Sequence, residues 1–351
     1  MLGVSDWASI RRRYAAYWAR ANRRPVIFAE APRDHAQWYP EERTGREAWF
    51  DTEYRVRCNR HDLGQMAFAL EGYPLAMPSL GPDLLAGILG WELQYNEASE
   101  WVKHRDCSLT DIAGLDFDPQ SFYYQKMEEF LTRLTEDARD DYIVGMVDLN
   151  TLFDGVAALV GAQNVCYDLV DEPEAVKRAL RQHLELFKLV YTRYDAIVRR
   201  YQGGSSNWLG VYSDEPWYFL SLDFTVMLSG ADYDEFVTPP LREMACFVGR
   251  SLYHLDGENA VRHLDRVLAL PEITGVQVQA TPAAQSVELW LPYLRRIQQA
   301  GKCCWIAAQN EDEVKRLMNE LPPEGLFIKI ELDTERELRH LERTVRDFYG
   351  E

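Results

Sequence analysis

His254 and Asp256 stand two residues apart in the segment YHLDG at 253–257. On an extended chain that spacing sends both side chains to the same side, their backbones about 7 Å apart. An imidazole and a carboxylate placed in this way can share a divalent metal ion, or serve one substrate as general acid and base. The residues leading in, Val248, Leu252 and Tyr253, are strand-like, and Gly257 releases the chain into the amphipathic ENAVRHLDRVLAL. In a parallel α/β protein the pair then sits at the carboxyl end of a strand, the edge from which barrel enzymes build their sites. A plainer role, hydrogen bonding to neighbours inside a barrel, is the alternative.

Other polar residues hold comparable positions. Asp148 and Asn150 end the apolar run YIVGMVDLN, where they could position a hydroxyl or water, or simply cap the helix that begins at Thr151. Gln277 and Gln279 alternate with Val276 and Val278, so one parity of GVQVQA points into the interior, and glutamines there could hydrogen-bond a substrate. Glu30 closes the strand-like PVIFAEAP, and Tyr212 with Asp214 follows another strand; these could line the pocket. Of the vicinal Cys303 and Cys304 in KCCWIAA, one must face the core, which ordinary burial explains. The tryptophans at 38, 49, 91, 101, 208 and 217 could wall a cavity, although core packing accounts for most of them. There is no glycine-rich phosphate loop and no nucleophile elbow, so no nucleotide cofactor is expected.

The elements that must position these groups follow a regular rhythm. The spacing of Trp7, Ile10, Tyr14 and Trp18 predicts an amphipathic helix capped by Ser5 or Asp6. Residues 96–120 read as a polar, irregular excursion. Beyond residue 120 helices alternate with short strands, among them the long helix opened by DEPEAV at 171–176, with Pro173 in its first turn. Strands are predicted near 26, 76, 144, 208, 253, 276, 304 and 328. Eight strands alternating with helices imply parallel pairing with right-handed crossovers, and favour a (β/α)8 barrel of the TIM type with an N-terminal helical extension. The expected organisation is a single domain over 1–351, with residues 1–24 as the preface and 25–351 as the barrel.

Composition narrows the partners. A formal charge of −18 argues against nucleic acid or an anionic membrane, both of which reward positive surface. The one basic run, RRRYAAYWARANRR, is broken by aromatics at helical spacing and reads as a solvated helix face. Six scattered cysteines without a CxxC point to a reduced setting. With no apolar signal core and no run of 18 apolar residues, a soluble cytoplasmic protein is expected.

Against this frame, YHLDGENAVRHLDRVLALPEITGVQVQ resembles the later barrel strands of uroporphyrinogen decarboxylase-like proteins, a superfamily that also holds corrinoid-linked methyltransferases. GYPLAMPSLGPDLLAGILGWELQYNEASEW, GVAALVGAQNVCYDLVDEPEAV and SLDFTVMLSGADYDEFVTPPLREMA match in the same order, so the resemblance covers about residues 24–345. It implies a barrel with its site at the carboxyl mouth, and a homodimer. It also gives Asp223, in SLDFTVMLS, a mouth-facing role, because the family pattern has an acidic residue just before the next helix. The decarboxylase proper carries an arginine-rich loop after its first strand, which grips propionates. Here FAEAPRDHAQWYPEE leaves Arg33 as the only nearby cation, beside Glu30, Asp34, Glu41 and Glu42, and that activity is not expected.

The methyltransferase members of the superfamily bind zinc through a His-x-Cys pair and a later Cys. His254 takes the place of the His, Asp256 replaces the first Cys, and the last Cys falls near Leu332 in IELDTERE, with Glu331 and Asp333 beside it. Asp333 and Thr334 also read as a helix cap. The resemblance thus implies a harder metal site, from His254, Asp256 and Glu331, suited to zinc with oxygen substrates or to another divalent ion. The activity expected is a metal-assisted methyltransferase or demethylase acting on a small methylated or hydroxylated compound, with the corrinoid carried by a separate protein. Asp148 and Asp223 would orient substrate or move protons. Two rivals stand beside it: a metal-free lyase or decarboxylase using His254 and Asp256 as an acid/base pair, and a non-catalytic barrel that binds a small ligand as a sensor.

Overall fold

The structure is a computed structural model that describes residues 1–41, 43–97, 99–103, 105–280 and 286–351. Its centre is a seven-stranded sheet. In chain order the strands of the protein are β1 (Val26–Pro32), β2 (Met66–Leu70), β3 (Leu75–Ala76), β4 (Leu93–Tyr95), β5 (Glu100–Val102), β6 (Ile143–Val144), β7 (Trp217–Leu220), β8 (Arg250–Asp256), β9 (Gly275–Gln279), β10 (Cys303–Ala307) and β11 (Leu326–Glu331). The large sheet runs β2-β1-β11-β10-β9-β8-β7 and is parallel except for β2, which lies antiparallel on β1. Its parallel strands are apolar on both faces, as a sheet covered by helices on one side and core on the other requires.

β3 and β6 form a separate parallel pair, and β4 with β5 a hairpin. No ladder among the described residues joins the β3–β6 pair to the large sheet, so the ladders show a mixed α/β fold around a mostly parallel sheet, without the closure of eight strands expected from the sequence. The reason lies partly at the fourth predicted strand. Residues 206–212 make only a parallel bridge from Ser206 to Gly145, and the regular strand comes later, at β7. The main chain of this segment is satisfied by side chains instead of a neighbour: Trp305 Nε1 donates to the Leu209 carbonyl (2.9 Å), Tyr14 and Tyr73 hydroxyls to that of Gly210 (2.9 and 3.1 Å), and Trp18 Nε1 to that of Tyr212 (3.0 Å). Gly210 has a φ of +73°, outside the extended region that a ladder needs, and lies so close under Phe28 that a Cβ would stand 2.9 Å from its ring.

The N-terminal helix, Trp7–Trp18, is capped by Asp6, whose side chain accepts from Ser9 N–H at 2.9 Å. Its Ile10, Tyr14 and Trp18 are buried against the large sheet and the 206–212 segment, as its periodicity predicts; Tyr17 is buried as well, while Trp7 is only partly covered. Cys303 and Cys304 are both buried. The excursion at 96–120 contains β5, which pairs back on β4, and a short helix, Leu109–Ile112, with a reciprocal Ser108/Asp111 cap. No helix among the described residues is long and apolar enough to cross a membrane.

Candidate metal centre

β8 and β9 pair so that His254 faces Gln277 and Asp256 faces Gln279. The alternation of side chains along each strand then places all four on one face at the carboxyl end of the sheet. β7 ends one strand away, and the chain turns there into a short 3₁₀ helix, Asp223–Met227. That turn brings Asp223 over the same edge. His254, Asp256 and Asp223 each offer a ligand atom, and the three atoms lie within 4.8 Å of one another. His254 is nearly covered, its side chain 10% exposed, whereas that of Asp223 is 54% exposed, so the group opens outward on the Asp223 side.

A chain of amides determines how His254 is presented. Gln279 Nε2 donates to the main-chain carbonyl of Ala280 (3.4 Å), a group that can only accept. Gln279 therefore turns its Oε1 to Gln277, whose Nε2 donates to it at 3.0 Å. Gln277 is left with Oε1 toward His254 Nδ1, in a short hydrogen bond. With Nδ1 donating to Gln277, Nε2 is the ring nitrogen turned outward, and it lies 3.8 Å from Asp223 Oδ1. Two acceptors face each other there, an arrangement that calls for a cation or a proton between them. An imidazole and two carboxylates form a donor set that fits zinc or a similar divalent ion, with positions left for water or substrate, and the glutamine behind the imidazole is the kind of outer partner that orients a ligating histidine. Trp208 packs edge-on against the His254 ring, centroids 5.7 Å apart.

Further carboxyls surround this group. Asp154, in the helix Leu152–Val160, accepts from the main-chain N–H groups of Asp223 (2.9 Å) and Phe224 (2.8 Å), and so anchors the turn that carries Asp223. Burial, with the Asp223 charge adding to it, pushes Asp154 up to about 7. Asp148 is pushed up to about 7 for the same two reasons, and its Oδ1 is shielded from water without a partner. Asn150 Nδ2 donates to Asp83 Oδ1 at 2.7 Å, and Asp83 N–H donates to Glu100 Oε1 at 2.7 Å. Burial raises Glu100 to about 8. A group of acids with such values can hold or release protons near neutrality.

The residues singled out from the sequence therefore divide. His254, Asp256 and Asp223 come together, with Asp148 close enough to feel the Asp223 charge. Gln277 and Gln279 reach the site, but as the support of His254. Asn150 holds Asp83. Glu30 lies two residues before the end of β1, beside Lys329, 3.9 Å away, and burial raises it to about 7. Two expectations need correcting. Glu331 is exposed, pairs with Lys329 at 3.0 Å and is not among the converging ligand atoms, because at the end of β11 it stands beside Glu30, three strands from β8; Asp223 takes the third place. Tyr212 is buried near the N-terminal helix, its hydroxyl donating to the Gln202 carbonyl at 2.9 Å, because its segment is not the fourth strand. Asp83, Glu100 and Asp154 were not singled out; Asp154 reads locally as an acid in the first turn of a helix, which is a common capping position.

No family model matches the chain, and no curated protein matches it. Among solved structures it is similar to a methyltransferase from Methanosarcina mazei, with a TM-score of 0.62 over 97% of this chain and 99% of that one, at 13% identity. The likeness is one of fold over the full length of both chains.

Proposed function

We propose that this protein is a metal-assisted methyltransferase or demethylase acting on a small methylated or hydroxylated compound, with the methyl group passed to or from a corrinoid on a separate protein. The observation that carries this reading is the pair of facing acceptors, His254 Nε2 and Asp223 Oδ1 at 3.8 Å, with Asp256 completing the group. The methyltransferase named above has the same fold, which supports the reaction class. So does the resemblance of several segments to the uroporphyrinogen decarboxylase-like superfamily. His254, Asp256 and Asp223 would hold the ion, which supplies Lewis acidity at the heteroatom that gains or loses methyl. Gln277, accepting from Nδ1, would keep the imidazole in the ligating tautomer. Asp148, raised to about 7, would take or return the proton of that heteroatom.

The test is elemental analysis of protein purified without chelator, beside His254→Ala and Asp256→Ala. Near-stoichiometric divalent metal, lost in both variants, is the expected result, and it directs assays to methylated substrates with corrinoid acceptors. A wild-type protein that takes up no metal even on reconstitution would overturn the mechanism. The elevated Asp148 then favours a second reading, metal-free acid/base chemistry on a small carboxylic acid, with a proton between His254 and Asp223.

A further inference from the structure

Away from the metal group, a cleft of about 220 Å³ opens between the short helix Leu109–Ile112, the end of the helix Leu152–Val160 and the long helix Pro173–Gln202. Its walls are mostly apolar, with Ile112, Leu115, Phe117, Leu159 and Leu186 among them. Leu115 and Phe117 are only partly buried and Leu189, at the edge, is 44% exposed, so the chain leaves part of this surface in contact with water. An apolar space of about 150 Å³ already holds a benzene-sized molecule. Covering such walls is favourable in proportion to the apolar area removed from water.

The polar side chains of the cleft offer acceptors. Gln182 Nε2 donates to the Leu115 carbonyl at 2.8 Å, which fixes the amide and leaves Oε1 as the free end. The carboxylates of Asp116 and Glu185 also line the cleft, Glu185 already paired with Lys188 at 2.7 Å. His183 lends its ring to the wall but no donor. Both of its nitrogens are shielded from water, and a Cβ at Gly155 would stand 2.2 Å from Nε2, so that edge faces the neighbouring helix. A molecule that fits must therefore bring an apolar body and a donor. Phe117 favours a flat ring, and apolar walls that strip water from an ion favour an uncharged one.

We infer that this cleft is a second binding site, for an uncharged aromatic molecule of one or two rings carrying a single N–H or O–H, with that donor on Gln182 Oε1. The site depends on no part of the metal group. The probes are indole and phenol, beside 1-methylindole and anisole, which keep the rings and lose the donor. Calorimetric titration and thermal shift are run on the full chain, chelator-treated and zinc-supplied. Indole and phenol should bind and stabilise, and each methylated analogue should bind about fivefold more weakly, the contribution of one hydrogen bond. Gln182→Leu should remove that preference and keep the apolar binding. Ala179 is buried on the cleft wall, and Ala179→Met, which fills the space, should abolish binding of all four probes. Should that variant fail to fold, Gln182→Leu still decides. His254→Ala should bind indole as the wild type does, so a failure of the metal reading leaves this one standing and the converse also holds. No binding of indole or phenol at millimolar concentration would overturn the inference, as would a donor preference that survives Gln182→Leu. So would a dimer that Ala179→Met dissociates, since a second copy of the chain would then occupy the cleft.

Discussion

Asp154 holds the main chain of Asp223: one carboxylate oxygen accepts from the Asp223 N–H at 2.9 Å, the other from the Phe224 N–H at 2.8 Å. The 3₁₀ turn after β7 is short, and its first N–H groups have no partner within it. A carboxylate across that end both satisfies them and fixes where Asp223 points. Asp154→Ala should therefore reduce metal affinity about tenfold or more, with a stability loss of roughly 1–2 kcal/mol for the unsatisfied donors. Asp154→Asn, which keeps one acceptor, should fall between. Metal affinity measured by chelator competition decides this; unchanged affinity in the alanine variant would mean that Asp223 is held by other contacts.

Gln277 acts behind His254, not beside it. Replacing it by leucine removes the acceptor for Nδ1–H and frees the ring to adopt either tautomer. Outer partners of metal-bound histidines typically contribute 10–100-fold in affinity, and a loss of that size is expected for Gln277→Leu. Gln277→Glu, which still accepts from Nδ1, should restore most of it. If Gln277→Leu instead raises KM for substrate and leaves metal affinity alone, the side chain is a substrate ligand.

Asp148 gives a pH signature. In the fold it keeps its proton up to about 7, whereas in the unfolded chain an aspartate loses it near 4. Between those values the native state binds more protons than the unfolded state, so stability falls as pH rises. Asp148→Asn removes this loss. Wild type and variant should match near pH ~3, below the unfolded value, and at pH 8 the variant should be more stable by ~1–2 kcal/mol, allowing for the partial exposure of the carboxyl. Denaturant titrations of metal-free protein at both ends of the range provide the comparison. Glu100, raised to about 8, continues to titrate, so a residual slope is expected in the variant. A stability difference independent of pH would show that Asp148 is not the proton-binding group.

Gly155 is the neighbour of Asp154 on the same helix and lies against the buried His183 ring; a Cβ there would stand 2.1 Å from His183 Cε1. Burial depresses His183 to about 4, so the ring is neutral at ordinary pH. Gly155→Ala forces the helix Leu152–Val160 away from the long helix Pro173–Gln202 and should cost about 1–3 kcal/mol. Because Asp154 moves with it, metal affinity should fall as well. His183→Ala opens the space, so the double variant should regain affinity relative to Gly155→Ala. No such recovery would mean that the two helices do not transmit position to Asp223.

Much of this was legible one element at a time. The period-two spacing of His254 and Asp256 was enough to place them on one face, and Gly257 after them marked the strand end. The Asp6 cap and the Ile10, Tyr14 and Trp18 stripe marked the first helix. These features depend on backbone geometry over a few residues, which neighbouring residue types control directly. The strand at 206–212 was misread for the same reason: NWLGVY has strand-like composition, but Gly210 under Phe28 and the side-chain donors of Tyr14, Tyr73 and Trp305 come from distant parts of the chain.

The sequence by itself determined which groups could do chemistry and at which strand ends they would emerge. Tertiary structure alone decided which of them meet. Asp223 joins His254 because β7 lies beside β8 and Asp154 ties down the turn between them; Glu331 does not, because β11 lies three strands away; Gln277 serves His254 because the register of β8 on β9 sets them opposite each other. Strand order and register depend on which apolar faces pack together over the whole chain, and they are invisible in any local window.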